Sequence, residues 1–220
     1  MREALERCLA GLLFFAVLPI LAIAAAAIVI EDGFPILFLQ QRVGKAGVLF
    51  NVFKLRSMRN GSGPMVTAAG DSRITKTGWL LRKYKLDEVV QLWNVVRGDM
   101  SLVGPRPEVP KFVDLNNPLW QQVLSVKPGI TDVSTLAFRD EESILKNQTD
   151  PEAYYRTHVL PHKLRLQTAE LRNRSWRQDL RVLAKTVYFS SFPRSFDGGE
   201  IRNSLLVGQP RDAARNRGAE

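Results

Sequence analysis

Cysteine is nearly missing from this chain. Among 220 residues there is one, Cys8, and it sits in an apolar run. A single thiol excludes a disulfide framework within the chain and a cysteine-based zinc site. Histidine is scarce too. His158 and His162 stand four apart in "HVLPH", a spacing that suits zinc on one helical face. Pro161 interrupts that face and no further ligand is obvious, so structural or surface roles are expected. The chain has no Walker-type phosphate loop and no G-x-G-x-x-G after a strand, which removes two common nucleotide cradles. It has no internal repeat. Acids are in deficit, with 22 Asp and Glu against 31 Lys and Arg and a net charge of +9. That excess suits an anionic partner: nucleic acid, acidic lipid headgroups or a phosphorylated small molecule.

What the chain does have is a long apolar run. Residues 8–30, "CLAGLLFFAVLPILAIAAAAIVI", carry no charge. About twenty apolar residues cross a bilayer core, so a membrane segment is expected rather than a cleaved signal peptide. Pro19 lies mid-run, where it removes a backbone donor and disturbs the preceding turn. Each half is then about eleven residues, roughly 16 Å long against a core of about 30 Å. Arg2 and Arg7 precede the run. Arg42, Lys45, Lys54, Arg56 and Arg59 follow it, after Glu31 and Asp32. Positive residues mark the cytoplasmic side. Two readings follow: a helix that spans the membrane with a kink at Pro19, or a re-entrant segment that turns at Pro19 and leaves on the side it entered, which the basic residues on both flanks favour.

Beyond the run, the spacing predicts a β-hairpin over residues 36–58 around Gly44-Lys45-Ala46-Gly47, then a Gly/Ser/Pro loop over 59–72. A short basic helix is expected at "ITKTGWLLRKY". Leu86, Val89, Val90, Trp93 and Val96 recur at helical spacing, which assigns them to the core and leaves Asp87, Gln91 and Asn94 together on a polar face. Gly98 is the expected helix stop. An amphipathic helix is expected over 108–125, a turn at 127–131 and basic helices over 151–189. Residues 179–192 suit either a membrane surface or ordinary packing. Trp79, Trp120 and Trp176 are candidate interface anchors, whereas Trp93 reads as core. The basic residues from 163 to 185 are expected to face anionic lipid rather than nucleic acid.

One stretch stands out: "KLDEVVQLWNVVRGDMSLVGPRP", residues 85–107. Asp87 and Glu88 open a helix, where acids are favoured by the helix dipole. An ionised carboxylate is also a potential nucleophile or metal ligand. It attacks phosphorus poorly until the phosphate charge is neutralised, usually by arginine or magnesium. Pro105 and Pro107 restrict the backbone around Arg106, and a guanidinium fork matches a phosphate. These parts suit phosphoryl chemistry beside a membrane, although their spacing alone does not establish it.

The motifs "FKLRSM" (53–58), "DSRITKTGWLLRKYKLDEVVQLWNVVRGDMSLVGPRPE" (71–108) and "VKPGIT" (126–131) resemble those of the bacterial sugar transferases, the monotopic polyprenyl-phosphate phosphoglycosyl transferases. The resemblance runs from about residue 2 to about residue 190. It implies a mixed α/β, mostly helical fold with a re-entrant membrane helix over 1–32 and a cytoplasmic catalytic domain over 33–194; the tail over 195–220, rich in Gly, Arg and Asn, is expected from its composition to be flexible. It implies transfer of a phosphosugar from a UDP-sugar to undecaprenyl phosphate with release of UMP, ping-pong through a covalent aspartyl intermediate. The setting would be the cytoplasmic face of the bacterial inner membrane, among inner-leaflet lipids, with a homodimer possible and Mg2+ as cofactor.

The same resemblance makes Asp87 the nucleophile. Glu88 would join it in holding the metal or managing a proton. Lys54, Arg82, Arg106 and Arg139 would bind phosphate. Two positions depart from the family. The helix break falls on a Ser-Pro pair in the family and on Leu18-Pro19 here, and Leu18 has no hydroxyl to bond backbone freed at a break. After "PGIT" many members carry "GWAQV", where this chain has "DVSTL". That segment is expected near the nucleotide or sugar. The readings from other classes are a membrane-tethered basic binding protein without catalysis, and a metal-dependent phosphodiesterase.

Overall fold

The computed structural model describes residues 2–59, 61 and 66–197. The tail expected from 195 and the middle of the loop expected over 59–72 fall mostly outside them. The described chain is mostly helical, with two small sheets.

Helix α1 runs Arg2–Asp32 with Pro19 inside it. Helical conformation continues through Leu18 and Pro19, so the interruption expected there is absent. The helix is long and apolar enough to cross a membrane. One stripe of it packs on the rest of the protein from end to end. Glu3 pairs with Lys127 at 3.0 Å, and Arg7 Nε donates to Val96 O at 2.8 Å. Phe14 meets Trp93 with ring centroids 5.7 Å apart. Ala10, Leu21, Ala24 and Ile28 are buried, with Val17 packed beside them. Glu31 accepts the Lys76 and Thr77 N–H groups, and Asp32 pairs with Arg56 at 3.1 Å. Positions 3, 7, 10, 14, 17, 21, 24, 28 and 31 alternate steps of four and three, the spacing that keeps one stripe on a partner. Leu5, Leu12, Phe15, Ile20, Ile23 and Ile30 point away from it and are exposed.

The hairpin forms as expected. β1 (Leu37–Val43) pairs antiparallel with β2 (Leu49–Leu55), and Phe38 faces Lys54 in the register. Helix α2 (Lys76–Lys83) follows, capped by Thr75. Gly78 belongs there because a Cβ would lie 1.9 Å from Ser57 O.

The stretch read as one helix over 86–97 is two. Leu86–Gln91 form a 3-10 helix, entered through Lys85 at φ 57, and α3 is Leu92–Arg97. Gly98 ends it at φ 90, as expected. The inside and outside are partly exchanged relative to the periodicity. Gln91 and Asn94 are buried at 2 % and 0 % exposure, and Trp93 is 43 % exposed against α1. Asn94 explains why. Its Oδ1 accepts Phe53 N–H at 3.2 Å and its Nδ2 donates to Asn51 O at 2.8 Å. One amide thus acts as a short strand along β2, and it ties the acid-bearing 3-10 helix to the strand that carries Lys54.

β3 (Ser101–Val103) pairs in parallel with β4 (Gly129–Thr131), which takes the place of the expected turn. Between them the helix expected over 108–125 is broken. A 3-10 turn at Pro110–Phe112 precedes α4 (Pro118–Val123), which Asn117 caps. Trp120 is buried in α4, not at an interface, while Trp79 and Trp176 are exposed. Short helices α5 (Val133–Ala137), α6 (Glu141–Leu145) and α7 (Pro151–Tyr154) follow, then a π-type turn at Tyr155–Val159 that runs into α8 (Leu160–Arg172). His158 stacks on Tyr154 there, with ring centroids 4.5 Å apart. α9 (Trp176–Ser191) buries Val182 and exposes Leu180, Val187 and Tyr188. The main core joins Phe112, Trp120, Leu145, Tyr155, Val159 and Leu164.

Candidate functional site

A cavity of about 450 Å3 opens between the hairpin, the 3-10 helix and the segment from α5 to α6. Lys54, Arg82, Asp87, Glu88, Arg106 and Arg139 all line it. Residues separated by up to 85 positions in sequence therefore share one chamber.

Glu88 is the hub of its charges. Lys54 Nζ lies 3.1 Å from Glu88 Oε1, and Arg106 grips the same carboxylate with two nitrogens, Nη1 to Oε2 at 3.0 Å and Nη2 to Oε1. Burial alone would raise the Glu88 carboxyl, but Arg106 and Lys54 outweigh it and hold the pKa well below the usual range. Burial likewise opposes the Arg106 charge, and Glu88 more than compensates, so Arg106 is fixed as a cation. Burial draws the Lys54 ammonium below its ordinary value against the pull of Glu88.

Asp87 behaves in the opposite way. It is 5 % exposed, and its Oδ1 is buried with no hydrogen-bond partner. Burial, then the adjacent Glu88 charge, raises its carboxyl above the usual range. Two neighbouring acids are thus pushed apart, one held ionised and the other costly to ionise until a cation arrives.

The remaining cations differ in how free they are. Arg82 binds Glu142 Oε1 through Nε at 3.1 Å and Nη2 at 2.5 Å. Arg139 is half-buried and donates to Ser190 Oγ on α9 at 3.3 Å. It has no carboxylate partner among the described residues, and burial lowers its pKa. Arg106 uses two of five N–H donors on Glu88, and Lys54 one of three, so both have donors to spare for an anion.

Sequence reasoning missed the opposite wall. Arg42 pairs with Glu108 at 2.9 Å, and Tyr155 Oη donates to Glu108 at 2.5 Å. Lys163 lies 3.3 Å from Tyr155 Oη and pairs with Glu141. Glu108 adjoins "PRP" and was within reach of the motif. Tyr155 and Lys163 belong to no pattern and enter only by folding. Within the segment expected near the ligand, Asp132 is fully buried and caps α5, while Thr135, and Phe138 and Arg139 just beyond it, line the cavity.

Among the described residues no group of three or more His, Cys, Asp or Glu forms a metal cage. Magnesium needs none: it is commonly held by one or two carboxylates with substrate phosphates and water. The unpartnered Asp87 Oδ1, beside Glu88, fits that kind of site.

The arrangement defines a protein that can hold a phosphorylated ligand between fixed cations and a buried carboxylate, next to a long apolar helix. Comparison with known proteins places it further. A family model described as bacterial sugar transferase matches residues 1–192, and the chain belongs to that family. It is 35% identical over 192 residues to a UDP-glucose:undecaprenyl-phosphate glucose-1-phosphate transferase of Caulobacter vibrioides, covering 84% of this chain and 68% of that protein. It is 41% identical over 119 residues to a UDP-N-acetylgalactosamine-undecaprenyl-phosphate N-acetylgalactosaminephosphotransferase of Aeromonas hydrophila, covering 51% of this chain and 28% of that protein. An undecaprenyl-phosphate galactose phosphotransferase of Salmonella typhimurium is 37% identical over 131 residues, again with 28% of that protein covered. The chain therefore spans little more than a quarter of the length of two of these relatives.

Proposed function

We propose that the protein moves a sugar 1-phosphate from a UDP-sugar to undecaprenyl phosphate and releases UMP. The observation that carries the reading is the buried Asp87 carboxylate, with an unpartnered oxygen, in a cavity that also holds Lys54, Arg106 and Arg139. The relatives' names, with three different sugars among them, support the reaction type and leave the sugar open.

In the first half-reaction Asp87 attacks the phosphorus that bears the sugar. The bond from that phosphorus to the UMP oxygen breaks, and UMP leaves with the electron pair. In the second, an oxygen of the lipid phosphate attacks the same phosphorus, and the Asp87 carboxylate departs. One phosphoanhydride replaces another with no redox change. Glu88 stays ionised and orients Lys54 and Arg106, whose spare donors meet the phosphate oxygens. Arg139 adds an unneutralised cation. Arg82 reaches phosphate by giving up Glu142. Magnesium held by Asp87, Glu88 and the donor phosphates would neutralise charge on the leaving UMP.

The packing of α1 supports a membrane arrangement. Glu3 and Asp32, at its opposite ends, both bond to the one globular domain. We read α1 as embedded from the cytoplasmic side of the bacterial inner membrane with both ends on that side. Its apolar flanks, with Leu5, Leu12, Phe15, Ile20, Ile23 and Ile30 exposed, meet lipid. We place the boundary between this segment and the catalytic domain near residue 32. An enzyme fixed at headgroup depth meets an acceptor that cannot leave the bilayer, which is a proximity effect.

The test is UMP release by the purified protein with magnesium and a panel of UDP-sugars, with and without undecaprenyl phosphate. About one UMP per protein without lipid, and repeated turnover only with lipid, from a particular sugar donor supports the proposal and names the donor. Salt-sensitive binding to acidic vesicles, with no release from any donor, would favour a basic binding protein instead.

A further inference from the structure

Arg106 lies between two prolines, and neither Pro105 nor Pro107 has a backbone N–H. The Arg106 N–H is therefore the one backbone donor of this tripeptide. It donates to Asp132 Oδ2 at 3.1 Å, across 26 residues. Asp132 is wholly buried and held from every side. Its Oδ1 accepts Thr135 N–H at 2.6 Å, Ser134 Oγ lies 2.9 Å from both oxygens, and Gln167 Nε2 on α8 donates to Oδ2 at 2.8 Å.

The backbones meet at the same place. Gly104 N–H donates to Thr131 O and Gly129 N–H to Pro105 O, each at 3.0 Å. Gly129 approaches so closely that a Cβ on it would lie 2.1 Å from Gly104 N. β3 and β4 thus bring Asp132 under Arg106, and α8 locks the carboxylate. At the other end of the same residue, the guanidinium grips Glu88.

We propose that Asp132 is a positioning residue for Arg106. It anchors the arginine backbone so that the guanidinium faces Glu88 and the substrate phosphate together. The inference rests on the reading that Arg106 binds that phosphate. It also gives the departure from "GWAQV" a role: an acid directly after "PGIT" serves the arginine from beneath and never touches substrate.

Asp132→Asn separates the two duties of the carboxylate. Asparagine caps a helix about as well as aspartate. With its oxygen on Thr135 N–H, its amide nitrogen faces the Arg106 N–H, donor against donor. The experiment compares full-length wild type, Asp132→Asn, Arg106→Ala and the double variant for the rate of trapping labelled phosphosugar from a UDP-sugar, alongside their melting temperatures. Wild type must first show UMP release; its failure to do so would defeat the proposed function rather than this inference. We expect Asp132→Asn to lose about ten- to a hundredfold in rate, as misplacement of a substrate-holding group does. In the Arg106→Ala background the same change should cost less than about twofold, because the two act as one unit. An equal loss in both backgrounds would overturn the proposal, as would no loss in the single variant. If Asp132→Asn does not fold, Gln167→Met removes the neighbouring donor and leaves the carboxylate. Its rate loss must also vanish in the Arg106→Ala background for the proposal to stand.

Discussion

Glu170 offers a prediction whose size can be worked through. It lies on α8, 8 % exposed, and its Oε2 accepts Val133 N–H at 3.0 Å. Its Oε1 is buried without a hydrogen-bond partner. Burial, then the charge of Asp132, raises its carboxyl from the ordinary 4.5 to about 7. The folded protein therefore keeps the proton through a window in which the unfolded chain has lost it. Stability from this group is greatest below the unfolded value and declines as pH rises through the folded one. At about 1.36 kcal/mol per unit of pKa the whole effect is roughly 3 kcal/mol, most of which falls between pH 5 and pH 8. Glu170→Gln keeps an oxygen for Val133 N–H and removes the titration. Relative to wild type, the variant should gain on the order of 2 to 3 kcal/mol in going from pH 5 to pH 8, or roughly 5–10 °C in melting temperature for a chain of this size. The assay is thermal unfolding in detergent at both pH values. Melting temperatures that move in parallel for the two proteins would refute the reasoning.

Three further outcomes follow. Gly129→Ala places a Cβ 2.1 Å from Gly104 N and 2.5 Å from Gly104 O. Both are backbone atoms, so β3 and β4 must part, at more than about 3 kcal/mol, read as loss of folded protein or a large fall in melting temperature. Arg106→Lys keeps the charge but loses the two-pronged grip on Glu88, and kcat/KM for UMP release should drop by about a hundredfold or more. Because the Asp87 carboxyl is raised and must be ionised to attack, kcat/KM should climb with pH along an acidic limb above the ordinary aspartate range. A limb at or below that range would contradict the burial argument.

How much of this was legible depends on what each residue answers to. Lys54, Asp87, Glu88 and Arg106 sit in contiguous motifs, and the cavity gathers all four. The hairpin and the Gly98 stop follow from local turn chemistry and appear as expected. Asn94 misled, because an amide at helical spacing looks solvated until a strand edge arrives to use it. The resemblance makes Arg82 a phosphate ligand, and its partner Glu142, sixty residues away, is not visible in the motif. The burial of Asp132 was not legible, because its partners, Arg106 and Gln167, converge only in three dimensions. The fate of Trp120 depended on how α4 and α8 meet, which composition does not encode.

The most direct test of the account is mass analysis of the protein after incubation with magnesium and a UDP-sugar donor, without lipid. The account predicts release of about one UMP per protein and a phosphosugar mass on the peptide that contains Asp87. The adduct should be lost on adding undecaprenyl phosphate and absent from Asp87→Asn. UMP release that occurs only with lipid, with no adduct on that peptide, would contradict it.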